Sequence, residues 1–204
     1  MKNLTAFHGS QEVKDKYITR MKQHMAQDQL LQGIGFDKET KKGCAVGCTL
    51  DEYNHEAYVT ELGVPIALAY VEDNIFEKLP TEESKTFPLE FLEAIPVGAD
   101  LDKVYPLFFA WQMIDKKWGI INVLKNEEDK AAIQNLGDLY ERLGTGQITF
   151  SEFKSADRAD LDYLADLADR AYRAYRAYLA YLADRADYYP ALRAKLIQLL
   201  KEAK

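Results

Sequence analysis

The stretch PIALAYVEDNIFEKLP, Pro65 to Pro80, reads as one helix carrying its own punctuation. Pro65 suits a first helical position, where its missing N–H is no loss and its fixed φ is already helical. Pro80 cannot continue the ladder and stops it. Between them Ile66, Leu68, Ala69, Val71, Ile75 and Phe76 provide an apolar face to bury.

On the N-terminal side, Ser10 caps a helix expected to run to about Gln32. Val13, Tyr17, Met21 and Met25 lie at helical spacing, and Gly33 is the terminator. His24 falls at the rim of that face, as a surface residue. Gly33 to Phe36 reads as extended, Asp37 to Gly43 as a polar Lys-rich turn, and Cys44 to Val46 as a return strand, together a small β-hairpin. The stretch KGCAVGCT, Lys42 to Thr49, holds the only two cysteines, spaced C-x3-C between glycines. Thr49-x-x-Glu52 has the form of a capping box opening a helix from Leu50 to Leu62, which Gly63 ends.

On the C-terminal side, Thr81 to Thr86 allows a short turn and Pro88 to Ile95 a short helix. Asp100 caps a strongly apolar segment with Val104, Leu107, Phe108, Trp111, Met113 and Ile114, the expected central core helix, with Pro106 in its first turns. Ile120 to Leu124 is apolar and β-branched and reads as a scrap of strand. Asn126 caps a helix to about Leu143, ended by Gly144.

The tail differs in kind. From Ala156 to Ala186 alanine recurs at every third position, interrupted only by Asp162. A period of three drifts by roughly 60° per triplet on an α-helix and defines no single face. A seam survives nonetheless: Leu161, Leu164, Ala168, Ala171, Tyr175, Tyr178 and Leu182 follow three-four spacing, as packing helices do. Such a helix, roughly 50 Å long, outreaches a compact domain and invites a partner. The expected class is therefore mainly α: a compact multi-helix domain over residues 1–150 with at most a small hairpin. A long Ala/Tyr/Asp/Arg helix follows over residues 151–204, broken near Pro190, packing on the domain or on a second copy. On this reading, removing Ser155 to Lys204 leaves the remainder folded.

Composition narrows function by exclusion. A chain of 204 residues, 48% hydrophobic and 29% charged, can bury a sizeable core. A net charge of −7 disfavours wholesale attraction to nucleic acid or anionic membrane. Two cysteines make no disulfide scaffold. Met1 to Ser10 is too poor in apolar residues for a signal peptide, and no run approaches a membrane span, so a cytoplasmic location is expected.

Three patterns could carry chemistry. Cys44, Cys48 and His55 could supply thiolate and imidazole to zinc, though C-x3-C is not a zinc-finger spacing and a fourth ligand is unassigned. Alternatively, Cys48 beside a helix start is the candidate reactive thiol, its pKa lowered there, with His55 near. The remaining reading makes both cysteines small buried hydrophobes in a tight Gly turn. Glu52-x-x-His55 is half of a di-iron carboxylate motif, and no second copy exists. Glu141 to Phe153 resembles the second half of an EF-hand loop, with Gly146, Ile148 and Glu152 in place. Glu141 and Leu143 break its first half, so calcium at Glu152 is disfavoured. The segment reads instead as a short extended link, with Ser151 or Ser155 capping the tail helix. Arg170, Arg173 and Arg176 interleave with Tyr172, Tyr175 and Tyr178, a nucleic-acid vocabulary that flanking Asp residues neutralise. No Walker loop, dinucleotide fingerprint, G-x-S-x-G or H-E-x-x-H appears.

KGCAVGCTL at Lys42 to Leu50, then ELGVP at Glu61 to Pro65, then Glu72-Asp73-x-Ile75-Phe76-Glu77, together with the alanine triplets, resemble a family of hypothetical proteins of bacteria and their phages. The resemblance implies a bacterial or phage origin and no activity. The function expected is that of a non-enzymatic interaction or regulatory protein without a cofactor, associating with itself or a protein partner through the C-terminal helix. The alternatives are a thiol- or metal-dependent activity at Cys44, Cys48 and His55, and nucleic-acid binding through the Arg/Tyr helix.

Overall fold

The computed structural model describes residues 4–158 and 186–204. Among them the fold is all-α, with isolated bridges from Gly43 to Leu30 and Phe36 in place of a hairpin. The chain groups into two compact units, Met1–Asp102 with Tyr189–Lys204, and Lys103–Tyr188.

In the first unit, α1 (Gln11–Ala26) starts where Ser10 accepts a hydrogen bond from the Val13 amide. It ends a turn and a half before Gln32, because Asp28 takes a left-handed conformation (φ 51) that returns Leu30 beside Gly43. Then come α2 (Ala45–Leu50), a π-helical turn over Tyr58–Leu62, α3 (Ile66–Lys78), α4 (Thr81–Ser84) and α5 (Phe87–Ala94). α1 packs on α2 and α5, and α2 and α5 both pack on α3. Tyr17, Met21, Leu68, Ile75, Phe76, Phe91 and Leu92 are fully buried in this core. The helix bracketed by prolines forms, but Pro65 is its N-cap with an extended ψ of 135°, one place outside the first helical position expected of it.

The expected helix from Leu50 to Leu62 does not form. Thr49 lies inside α2 and donates its hydroxyl to the Ala45 carbonyl at 2.9 Å, so it caps nothing. Asp51, left-handed at φ 59, ends the helix there. His24 is likewise buried rather than at the surface. Its Nδ1 lies 2.6 Å from Gln29 Oε1 and its Nε2 3.0 Å from Asp51 Oδ1, while Arg20 pairs with the same carboxylate, fastening α1 to the end of α2.

The last helix, α9 (Tyr188–Glu202), has Pro190 in its first turn. It buries Leu192, Leu196 and Leu200, and Arg193 pairs with Glu83 and Glu90. The Lys204 carbonyl accepts from the Asp100 amide at 2.9 Å. This helix is thus part of the first unit's core.

The second unit is built on α6 (Val104–Ile114) and α7 (Glu127–Gly144), followed by α8 (Phe150–Arg158). α6 and α7 run antiparallel in very close contact. A Cβ at Gly137 would sit 2.5 Å from Ile114 Cγ2, and one at Gly144 2.5 Å from Leu107 Cγ. Ile120–Val123 is a 3-10 turn, not a strand. The Asn122 amide donates to the Asp115 and Gly119 carbonyls, which folds the segment back. The seam proposed for the tail (Leu161, Leu164, Tyr175, Tyr178, Leu182) and the Arg/Tyr run lie outside the described residues.

Candidate functional site

The loop from Gln29 to Gly43 closes against the start of α2. The Cys44 amide donates to the Ile34 and Gly35 carbonyls, both at 3.0 Å, and the Gly43 amide to Gln29. The glycines are required by this approach: a Cβ on Gly47 would stand 2.0 Å from the Gly35 oxygen, and one on Gly43 2.6 Å from it. Gly35 in turn lets the Tyr53 ring lie directly on the loop, where a Cβ would meet Tyr53 Cγ at 2.5 Å. The unusual GCAVGCT spacing therefore records backbone packed on backbone.

Cys44 is the N-cap of α2, its Sγ accepting from the Gly47 amide at 3.5 Å. Cys48 lies within α2, its thiol directed to the Gly43 and Gln29 carbonyls at 3.4 and 3.7 Å. Both are buried and unbridged. The expected lowering of the Cys48 pKa is reversed, because burial pushes that thiol up to about 12. Burial also raises the Cys44 thiol well above its ordinary range, helped by the neighbouring Asp73 carboxylate and opposed by the Gly47 amide. The three expected ligands do not converge. Cys44 lies beside Asp73, the carboxylate that His55 bonds, while Cys48 faces carbonyls.

That carboxylate comes from α3, which carries Tyr70, Asp73 and Glu77 along one side at three-four spacing. Asp73 Oδ2 accepts from His55 Nε2 at 3.0 Å and from the Tyr53 hydroxyl at 3.2 Å. Facing a carboxylate, Nε2 carries the imidazole proton. The His55 ring stacks on Tyr70 (4.3 Å, 15°) and meets Tyr53 edge-on (4.9 Å, 78°). Asp73 also contributes to holding the Tyr53 hydroxyl up at about 12, second to desolvation. Glu77 accepts from the Gly33 amide at 2.7 Å, and its pKa is raised by desolvation, with Asp73 adding to the shift. Behind them Glu72 is fully buried, its Oε2 taking the Tyr58 hydroxyl at 2.6 Å. Desolvation raises the Glu72 carboxyl well above its ordinary value, with the Tyr58 hydrogen bond opposing the shift and Asp73 adding to it.

Two buried side-chain polar atoms among the described residues lack a hydrogen-bond partner, and they belong to consecutive residues: Glu72 Oε1 and Asp73 Oδ1. Native interiors rarely leave such atoms bare, and a bound ion or water is the ordinary reason. One ligating atom each from Cys44, Asp73 and Glu77 lie within 4.8 Å of one another. A tetrahedral ion with usual bond lengths holds sulfur and oxygen donors roughly 3.5 Å apart, so an ion held here would require the three to move inward.

Asp73 and Glu77 escape a reading of the sequence because each is unremarkable alone. The usable signal is a run of three acids on a helix otherwise rich in apolar residues. Glu152, by contrast, spends its carboxylate on helix capping, accepting from the Thr149 amide and hydroxyl at 2.7 and 2.8 Å while its own amide donates to that hydroxyl. Thr149-x-x-Glu152 thus forms a capping box at the start of α8, and Ser151 and Ser155 lie inside that helix rather than at its cap. No helix among the described residues is long and apolar enough to cross a membrane. Comparison with family models, curated proteins and solved structures finds no match to this chain.

Proposed function

We propose that Cys44, Asp73 and Glu77 bind one divalent transition-metal ion of the zinc class, and that this ion is the working centre of a metal-dependent activity. The observation that carries the reading is the bare Asp73 Oδ1, buried beside the Cys44 thiol and the Glu77 carboxylate. A thiolate among the donors favours zinc or ferrous iron over calcium or magnesium, which prefer all-oxygen shells. Three protein ligands leave one position of a tetrahedral ion for water or substrate, the arrangement of catalytic rather than structural zinc sites. A thiol this reluctant to ionise on its own makes a poor free nucleophile, and coordination supplies what ionises it.

The test is titration of the metal-free full chain with zinc and with cobalt(II), whose thiolate charge-transfer absorption reports the sulfur ligand. One equivalent should bind with that band present. Cys44→Ser should remove the band and Asp73→Asn most of the affinity, while Cys48→Ser keeps both. Lack of stoichiometric uptake, or a band that survives Cys44→Ser, would overturn the reading.

A further inference from the structure

We infer that His55, assisted by Tyr53, is a positioning residue that sets the metal selectivity of this site by holding Asp73 to one-oxygen coordination. The inference rests on the metal reading above and deepens it. Asp73 Oδ2 already accepts two hydrogen bonds, from His55 Nε2 at 3.0 Å and Tyr53 at 3.2 Å, whereas Oδ1 accepts none. A carboxylate tied in this way offers an ion its single free oxygen. Small four-coordinate ions need no more, whereas larger ions gather six or more oxygens and gain from bidentate carboxylates.

The tether is built to stay in place. His55 is 9% exposed, with Tyr70 stacked on one face of its ring and Tyr53 edge-on to it, contacts that oppose a swing toward an ion. Gly35 gives Tyr53 the room to reach Asp73, since any larger residue would occupy the volume of its ring. The imidazole thus serves as an outer partner that orients a ligand, the role such partners commonly play around metal sites. This use of His55 differs from direct ligation, and it explains why a lone histidine stands near a thiol–carboxylate set without joining it.

Competition dialysis of the full chain against zinc and manganese(II) tests the inference, comparing wild type with His55→Ala, His55→Gln and Tyr53→Phe. His55→Ala should lower zinc affinity on the order of 10–100-fold. Manganese affinity should hold or rise as Oδ2 is released, so that the zinc-to-manganese ratio collapses by about the same factor. His55→Gln, which can restore one N–H donor, should recover part of the ratio, and Tyr53→Phe should shift it in the same direction by less. Equal losses for both ions, or an unchanged ratio, would overturn the inference and leave the metal site standing. A wild-type chain that takes up neither ion would remove both. If His55→Ala does not fold, Tyr53→Phe decides: a narrowed ratio supports the tether and an unmoved one refutes it.

Discussion

Tyr17 shows how single side chains in this protein tie a buried helix to polar groups beyond it. Its ring is in the core of the first unit, and its hydroxyl donates to Glu61 Oε2 at 2.5 Å. That bond, more than the nearby Lys16 and Arg20, lowers the Glu61 pKa below its ordinary 4.5. A carboxyl depressed on folding adds stability above its unfolded pKa and loses it as pH falls through the folded value. Tyr17→Phe should therefore cost about 1 kcal/mol at pH 7, a modest figure because Glu61 is half exposed. The gap between variant and wild type should close as pH drops below about 4.5, and urea titrations at pH 7 and pH 3.5 would measure it. A gap independent of pH would mean that the hydroxyl contributes through something other than the ionised Glu61, because the ring is common to both chains. Residue identity alone misleads at Cys48, where nearness to a helix start suggests an activated thiol. The sulfur lies inside the protein, and desolvation outweighs its backbone hydrogen bond with Gly43.

Among the elements, α6 and α7 illustrate how glycine can belong inside a helix. An interior glycine ordinarily costs about 1 kcal/mol against alanine, so replacing it ought to help. Yet at Gly144, the last residue of α7, alanine should destabilise by roughly 1–3 kcal/mol, since its Cβ would fall 2.5 Å from Leu107 Cγ and 3.1 Å from the Leu107 backbone nitrogen. Gly137→Ala should cost less, because its nearest neighbours are all atoms of the Ile114 side chain, which has more freedom to move. Thermal melts of the two variants would rank them, and a stabilised Gly144→Ala would contradict the close packing. Elements bounded by proline and asparagine caps were legible in the sequence, because such signals act locally: α3 between Pro65 and Pro80, and α7 from Asn126. Thr49-x-x-Glu52 failed because a capping box is a pattern that several positions satisfy, and burial of α2 decided which one was used.

Across the whole molecule, the chain returns at its end to its beginning. Removing Tyr189–Lys204 withdraws Leu192, Leu196 and Leu200 from the first unit's core and leaves Glu83 and Glu90 without Arg193. Cutting several buried leucines at about 2–5 kcal/mol each exceeds the stability of most domains. The shortened chain should lose cooperative unfolding and its near-ultraviolet circular dichroism, whereas the sequence pattern of the tail suggests an intact remainder. A truncated protein that still melted cooperatively would show α9 to be dispensable. The proposed metal site has the same non-local origin, since Cys44 from the N-cap of α2, His55 from the following turn and Asp73 from α3 come together where α2 packs on α3.

By itself the sequence determined the helical class and the placement of most helices. Each of those follows from period, caps and prolines, which act over a few residues. Only the tertiary structure decided that the glycines of the Cys44 loop serve backbone contact with Gly35, that Cys48 faces carbonyls, and that Asp73 and Glu77 complete the group around Cys44. The reason is physical. Hydrogen bonding and desolvation at these atoms depend on neighbours 18 to 33 positions away along the chain, Asp73 from His55 and Glu77 from Cys44, and no local pattern encodes that distance.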